Sequence, residues 1–233
     1  MRLLLLSNST SFGSGYLDHA MAAVRAHLGG IRRLLFVPFA LREEAVYTEK
    51  AGARFAAEGI EVVRLTADAG GAAALKAAEA VFVGGGNTFR LLEKLQRSGL
   101  LDLLKARARA GMPYLGASAG TNIAAPTIKT TNDMPIVEPQ GFAALGLVPF
   151  QINPHYLDAE ASSRHMGETR EQRLREYLEE NDTPVVALRE GAWLLLEGEG
   201  LRLEGQNGAR IFRPRQEPEE VPPGTALDEL LRA

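Results

Sequence analysis

Residues 116–120 carry a serine between two glycines, in a pattern that could support nucleophilic catalysis. They read Gly-Ala-Ser-Ala-Gly, follow an apolar run at 112–115, and precede residues 121–125, which could begin a helix. Such a sequence between a strand and a helix is typical of a nucleophile elbow, a tight turn that lifts the serine hydroxyl above a sheet. Ser118 is therefore the candidate nucleophile, and the N–H of Ala119 is a candidate oxyanion donor. Because Gly, Ala and Ser are common, the motif alone is a hypothesis.

The cysteine and histidine content limits the chemistry that the chain could use. Its 233 residues include no cysteine, which excludes disulfides, thiolate metal sites and a cysteine nucleophile. Any acyl transfer must then be carried by serine. The four histidines are too few and too scattered for a histidine-rich metal site, and we predict neither a metal nor another cofactor.

Charge and hydropathy argue against a nucleic-acid or membrane partner. The net charge is −3, which provides no basic footprint for nucleic acid or anionic lipid. No apolar run approaches the length of about 18 residues that a membrane span requires. The apolar run at residues 3–6 stops at the polar residues 7–10, too early for a signal peptide. We therefore predict a buried first strand and a cytoplasmic protein.

Short apolar runs alternate with longer helical stretches, which predicts an α/β fold. Parallel strands joined by right-handed crossovers would form a doubly wound, mostly parallel sheet with helices on both faces, followed by a small antiparallel extension. The predicted strands are 3–6, 33–37, 61–65, 80–83, 112–115, 147–152, 185–188, 193–197, 201–203 and 209–212, and the predicted helices are 16–28, 43–58, 70–78, 88–96, 100–110 and 168–180. We interpret residues 1–233 as a single domain, with 213–233 as a surface tail.

A glycine-rich turn follows the fourth predicted strand, at the sheet edge where doubly wound folds place their sites. Residues 84–88 read Gly-Gly-Gly-Asn-Thr. Glycines let backbone N–H groups approach a substrate, so Gly85 and Gly86 are candidate oxyanion donors. A phosphate cradle is an alternative, but the Lys-Ser/Thr pair of the P-loop is missing. A plain turn with Thr88 as the helix N-cap is a further alternative.

His155 is the histidine best placed to act as a general base for Ser118. It follows an apolar run and Pro154, a residue that ends strands and stiffens the chain. His19 and His27 lie on a predicted amphipathic helix and are expected to face solvent or the helix edge, and His165 lies in a polar loop.

Two carboxylates could fix the tautomer of His155, as the acid of a Ser-His-acid triad does. Asp133 lies in a loop before Pro135, where it could instead be a turn residue. Glu190 follows a predicted strand and precedes a glycine, where it could be an exposed hairpin carboxylate. The chain order Ser, acid, His favours Asp133, but chain order differs between unrelated triads and does not exclude Glu190.

Taken together, these motifs resemble those of the peptidase E family of serine peptidases, which are aspartyl dipeptidases. The resemblance covers nearly the whole chain. It is carried by residues 3–10, 83–89, 116–122, 130–137, 151–155 and 167–173.

The resemblance implies a fold like that of the class I glutamine amidotransferases, with serine in place of their cysteine. It also implies metal-free hydrolysis of dipeptides with an N-terminal aspartate. We expect the chain to be a monomer or homodimer. Ser118 matches the nucleophile of the family and His155 its base. The acid stays open, because Asp133 matches a family aspartate that is needed for activity and Glu190 matches the acid of a Ser-His-Glu triad.

Selection of an N-terminal aspartate requires a cation for the side chain and an acceptor for the amine. Arg170 is the candidate cation, with Arg164 and Lys129 as second choices. Without the resemblance, Arg170 would be interpreted as part of a solvated helix face. Glu168 or Asp133 could receive the amine.

We place Asn87 among the predicted substrate-binding residues as well.

Two other functions stay open. A peptidase similar to cyanophycinase shares the glycine turn and the elbow but would cut a branched polymer of β-linked Asp and Arg. A catalytically inactive module that binds a small ligand could use the same sheet, because fold does not fix function.

Overall fold

A computed structural model describes residues 1–159 and 167–232 of the chain. The strands are β1 (Arg2–Leu6), β2 (Arg33–Val37), β3 (Glu61–Arg64), β4 (Val81–Val83), β5 (Tyr114–Ala117), β6 (Gln151–Tyr156), β7 (Val185–Arg189), β8 (Ala192–Glu197), β9 (Gly200–Gly205), β10 (Ala209–Phe212) and β11 (Glu219–Val221). The α-helices are α1 (Met21–Leu28), α2 (Glu44–Ala56), α3 (Ala69–Ala77), α4 (Thr88–Arg97), α5 (Leu100–Arg109), α6 (Ala119–Asn122) and α7 (Arg170–Glu179), and 3₁₀ turns occupy Asp18–Ala20 and Asp228–Arg232.

Seven strands form the larger sheet, in the order β3-β2-β4-β5-β1-β8-β9. The first five of these pair in parallel, and β8 and β9 continue the sheet as an antiparallel hairpin. The predicted class, a doubly wound and mostly parallel α/β sheet, is therefore confirmed. A parallel order requires that helices connect the strands, and those helices cover both faces.

The leucine run of β1 shows how the sheet is buried. Successive strand residues point to opposite faces, so Leu4 and Leu6 pack with side chains of α1 and α2, whereas Leu3 and Leu5 pack with those of α3, α4 and α5. All four leucines are fully buried. A strand that is buried on both faces carries a continuous apolar run, as this one does.

A second sheet, in the order β11-β10-β7-β6, was not predicted. Its strands β6 and β7 are parallel and the other pairs are antiparallel. One face joins the core of the larger sheet through residues that include Val186 and Leu188. The other face packs against α7 through residues that include Leu174. The predicted antiparallel extension thus divides between the two sheets.

The strand predicted at 147–152 is wrong in its position. Residues 147–150 form a buried loop, and the strand runs instead over Gln151–Tyr156. The apolar character of the loop reflects burial in the core and not strand pairing. His155 therefore lies inside the strand, where a φ of 54° and a shift in register interrupt the regular ladder.

Two helix predictions also need correction. The helix expected to begin at residue 16 begins at Met21, because Leu17 has a left-handed φ of 61° and a 3₁₀ turn follows it. His27 on this helix is buried, although we expected it to face solvent or the helix edge. The helix after Ser118 is only the four-residue α6.

Residues 213–232 hold more structure than a surface tail. They contribute β11 to the second sheet and bury Val221, Leu227 and Leu230 in the core that the two sheets share. This shared core supports our proposal that the chain is a single domain. None of the helices in the described ranges has the length and apolarity needed to cross a membrane.

Burial of His27 generates a prediction about stability and pH. Burial, and after it the Arg2 guanidinium, lowers the pKa of His27 to about 4. An unfolded histidine has a pKa of about 6.5. As the pH falls below that value, the unfolded chain binds a proton that the folded chain does not, so stability falls.

We therefore expect a His27→Leu variant to lose less stability than the wild type between pH 7.5 and pH 5. The difference should be about 2 kcal/mol in the free energy of unfolding, since each pKa unit corresponds to about 1.4 kcal/mol. Urea denaturation of both chains at the two pH values measures it. An equal loss in both chains would contradict the prediction.

Candidate active site

Ser118 stands on a tight turn between β5 and α6. Its φ of 53° and ψ of −110° are sparsely populated by non-glycine residues, and its N–H donates to the Leu6 carbonyl at 3.1 Å. A Cβ on Gly116 would lie 2.6 Å from the Gly120 carbonyl oxygen, and one on Gly120 would lie 2.1 Å from the Val83 oxygen. The two glycines of the motif are therefore required by space.

A continuous series of hydrogen bonds joins Ser118, His155 and Glu190. His155 Nε2 lies 2.9 Å from Ser118 Oγ, and His155 Nδ1 lies 2.7 Å from Glu190 Oε1. Ser118 belongs to the larger sheet, whereas His155 lies in β6 and Glu190 directly follows β7 in the smaller one. Of the two carboxylates that the sequence left open, the structure places Glu190 on the imidazole.

Ser7 joins the two sheets beneath this series. Its fully buried hydroxyl accepts the His155 N–H at 2.9 Å and donates to the Leu188 carbonyl at 2.9 Å. It thereby holds β6 and β7 against the end of β1. No role for Ser7 was predicted from the sequence; the signal that could have indicated one is a polar residue directly after a buried strand.

The main chain around Glu190 is held by two asparagines. Asn8 Oδ1 accepts the Gly191 N–H at 2.8 Å, and Asn207 Nδ2 donates to the Glu190 carbonyl at 2.6 Å. Both contacts bind main-chain atoms, and neither uses the Glu190 carboxylate, which pairs with His155. Asn207 lies between β9 and β10, where no motif indicated a role.

Beside Ser118 lies a cavity of about 220 Å³. Its walls come from the elbow, the start of α4, the 131–133 loop, β6 and the start of α7. The lining residues are Thr88, Ser118, Ala119, Thr131, Asn132, Asp133, Pro154, His155 and Arg170.

Asp133 lies in this cavity without contacting His155. Its Oδ2 accepts hydrogen bonds from the Thr88 N–H at 2.7 Å, the Thr88 hydroxyl at 2.6 Å and the Thr131 hydroxyl at 3.2 Å. The Thr88 N–H is at the N-terminus of α4, an end of the helix that favours negative charge. The contacts thus hold the carboxylate in the pocket and not on the imidazole.

Arg170, the first residue of α7, brings a cation to the same cavity. Partial burial lowers the pKa of its guanidinium, as does the nearby Arg173, while the Asp133 carboxylate acts in the opposite direction. The cavity therefore holds one cationic and one anionic group next to Ser118.

Asn87 is not among the residues that line the cavity. Its Oδ1 caps α4 by accepting the Arg90 N–H at 3.0 Å, and its Nδ2 donates to the Met134 carbonyl at 2.9 Å. The helix cap is therefore Asn87 and not Thr88, the cap that the plain-turn alternative suggested. Asn87 therefore positions the turn and the loop that contains Met134.

Two further predicted residues, Glu168 and Lys129, are not among those that line the cavity. Glu168 pairs with Arg173 at 3.4 Å, and Lys129 Nζ donates to Asn181 Oδ1 at 3.1 Å. Arg164 lies outside the described residues. The structure therefore leaves Arg170 as the predicted cation that lines the cavity in the part of the chain that it describes.

In the glycine turn, one backbone N–H has no hydrogen-bond acceptor among the described residues. Gly84 and Asn87 donate theirs to main-chain carbonyls, and Gly85 donates to the Tyr47 hydroxyl at 2.8 Å. The Gly86 N–H has no acceptor among the described residues. Of the two donors that the sequence suggested, Gly85 is committed to Tyr47 and Gly86 is available.

Removal of the Ser7 hydroxyl should be costly. A Ser7→Ala variant leaves the His155 N–H and the Leu188 carbonyl buried without their partner, so we expect a loss of about 3 kcal/mol in the free energy of unfolding. Ser14→Ala is the control, since among the described residues that hydroxyl bonds only to the carbonyl of Ser11, three residues earlier. Chemical denaturation of both variants tests this, and losses of equal size would contradict a special role for Ser7.

Comparison with known proteins identifies the family of the chain. Residues 3–204 match the family described as Peptidase family S51. A Streptomyces coelicolor protein named peptidase E is 55% identical over 231 residues, which cover 99% of this chain and 95% of that protein. A Drosophila melanogaster protein named probable alpha-aspartyl dipeptidase is 45% identical over 233 residues, with 99% and 97% covered.

A solved structure of a peptidase from an acI-B1 actinobacterium shares the fold. It has a TM-score of 0.74 at 15% identity, with 97% of this chain and 96% of that chain covered. The resemblance indicated by the motifs is thus confirmed by a match over most of the chain, and the chain belongs to peptidase family S51.

Proposed function

We propose that the chain is a serine-type dipeptidase that hydrolyses dipeptides with an N-terminal aspartate through an acyl-enzyme on Ser118. The observation that carries this proposal is the Ser118–His155–Glu190 series of hydrogen bonds at a cavity that also holds Arg170 and Asp133. The names of the S. coelicolor and D. melanogaster relatives support it.

The geometry suits acyl transfer in two steps. With the proton of neutral His155 on Nδ1 and directed at Glu190, Nε2 is free to take the proton of Ser118 as Oγ attacks the peptide carbonyl. The N–H groups of Ala119 and Gly86 would stabilise the oxyanion. His155 then protonates the leaving amine, and a water molecule activated by His155 hydrolyses the ester.

The charged groups of the cavity support recognition of an N-terminal aspartate. Arg170 would bind the side-chain carboxylate of the substrate as a charge-assisted pair. Asp133 would accept a hydrogen bond from the α-ammonium group of the substrate. With both charged groups of the substrate bound by Arg170 and Asp133, the reactive carbonyl would lie next to Ser118. A cavity of about 220 Å³ suits a short peptide.

The alternatives are separated by the choice of substrate. A peptidase similar to cyanophycinase would cleave the branched Asp-Arg polymer in preference to dipeptides, and an inactive module would cleave neither. The intact series of hydrogen bonds disfavours the inactive module. A cytoplasmic location and a monomeric or homodimeric state stay predictions from the sequence.

The roles of the two carboxylates give a direct test with Asp-Leu, Glu-Leu, Ala-Leu and acetyl-Asp-Leu in the presence of EDTA. We expect the wild type to cleave Asp-Leu much faster than the other three substrates, with only slow cleavage of Ala-Leu, and Ser118→Ala to lose at least about a thousandfold in kcat. Glu190→Gln should lower kcat by about a hundredfold or more, because it no longer stabilises the imidazolium. Asp133→Asn should mainly raise KM, because it weakens binding of the ammonium group.

The outcome that would reverse this assignment is a normal kcat in Glu190→Gln together with a lost kcat in Asp133→Asn. Cleavage of Asp-Leu by Ser118→Ala would overturn the proposed function as a whole.

Arg170 is tested by specificity. Arg170→Ala should lower kcat/KM for Asp-Leu by about a hundredfold, since it leaves the substrate carboxylate buried without a partner, while the slow cleavage of Ala-Leu stays the same. Arg173→Ala is the control, because Arg173 is exposed and pairs with Glu168. An unchanged ratio of Asp-Leu to Ala-Leu cleavage in Arg170→Ala would exclude Arg170 as the specificity residue.

A further inference from the structure

Tyr47 lies directly beneath the glycine turn, although it takes no part in the chemistry described above. Its ring is buried on α2 and packs edge-on against Phe36, with ring centroids 4.9 Å apart at an angle of 82°. The hydroxyl accepts the buried Gly85 N–H at 2.8 Å. This is a contact between the core and the main chain of the turn.

The turn is squeezed between Tyr47 and the nucleophile. A Cβ on Gly84 would lie 2.6 Å from the Tyr47 hydroxyl oxygen, and one on Gly85 would lie 3.0 Å from Ser118 Cβ. Because the main chain of Gly84 and Gly85 contacts both Tyr47 and Ser118, a movement of Tyr47 would displace the turn relative to Ser118. Gly86 follows with a φ of 132°, in a region that favours glycine.

We propose that Tyr47 is a positioning residue that orients the oxyanion donor of the turn. A buried N–H needs an acceptor, and Tyr47 is the acceptor for Gly85. With that N–H committed, the next amide along the chain, that of Gly86, is the one left for the oxyanion. This inference rests on the proposed function, because it concerns the same reaction.

Loss of the Tyr47 hydroxyl would leave the Gly85 N–H buried without a partner, which is unfavourable. Rotation of the Gly84–Gly85 peptide, which carries this N–H, would relieve that cost by turning the N–H toward the cavity or solvent, and it would change the φ of Gly85. The same rotation would move the Gly86 N–H away from the oxyanion position. We therefore expect the loss of the hydroxyl to weaken stabilisation of the transition state and to have little effect on substrate binding.

Tyr16 provides the matched control. Its hydroxyl lies 3.4 Å from the Tyr47 hydroxyl and its ring packs edge-on in the same cluster. Burial raises the pKa of both tyrosines, so both stay neutral at physiological pH. Tyr16→Phe removes a buried hydroxyl from the same place without touching the glycine turn.

The first experiment compares Tyr47→Phe, Tyr16→Phe and the wild type on Asp-Leu. We expect kcat of Tyr47→Phe to fall by about 10- to 100-fold, since loss of a whole oxyanion donor costs about 10²–10³. Its KM should stay within about twofold, because the missing interaction forms only in the transition state. Tyr16→Phe should keep the kcat of the wild type.

A second readout separates positioning from general loosening of the fold. The aldehyde analogue of aspartate forms a hemiacetal with Ser118 and uses the oxyanion donors, whereas free aspartate only occupies the charged cavity. The inhibition constant of the aldehyde should rise in Tyr47→Phe by about the fold-change in kcat, and that of aspartate should not change. Equal weakening of both ligands, or of neither, would overturn the inference.

A third measurement needs no variant and covers the case in which Tyr47→Phe does not fold. In wild-type chain labelled with ¹⁵N-glycine, the aldehyde should shift the Gly86 amide resonance strongly and leave that of Gly85 nearly unchanged. A dominant shift of Gly85 would refute the assignment. If the wild type does not cleave Asp-Leu, the proposed function fails; if it does and Tyr47→Phe matches it, only the role of Tyr47 fails.

Discussion

The relative position of the two sheets is the constraint on which the active site depends. The nucleophile follows a strand of the larger sheet, whereas its base and acid come from the smaller one. The 2.9 Å hydrogen bond between Ser118 and His155, which continues to Glu190 at 2.7 Å, therefore forms only if the two sheets keep a fixed relative position. A shared apolar core provides most of that attachment, and it is not directional. The buried Ser7 hydroxyl adds direction, because it bonds to both β6 and β7 at the end of β1.

The parts of the site that the sequence predicted are those with local causes. The elbow and the glycine turn are recognisable because backbone atoms leave no room for a side chain at Gly116 and Gly120, and the Tyr47 ring leaves none at Gly84. The parallel sheet followed from alternation of apolar runs and helical stretches, which depends on burial of each element. Both kinds of feature are determined by residues within short segments of the chain, so a single sequence is sufficient to identify them.

What the sequence left open or misplaced depends on contacts between distant segments. Asp133 and Glu190 are similar candidates along the chain, and only the pairing of β6 with β7 brings Glu190 to the imidazole. The apolar loop at 147–150 has the composition of a strand but pairs with none. Asn87 and Glu168 have suitable chemistry for binding a substrate, yet neighbouring groups occupy their side chains.

The steric fit around Ser118 has a consequence for how the sequence can change. A Cβ at Gly85 meets Ser118, one at Gly84 meets Tyr47, and one at Gly120 meets the carbonyl of Val83, so three segments distant in sequence share one packed volume. Residues in such contact do not contribute additively to stability. Substitutions at these positions are therefore expected to be tolerated only in combination, and this region should vary among descendants as a unit, with strong epistasis, while the exposed surface drifts site by site.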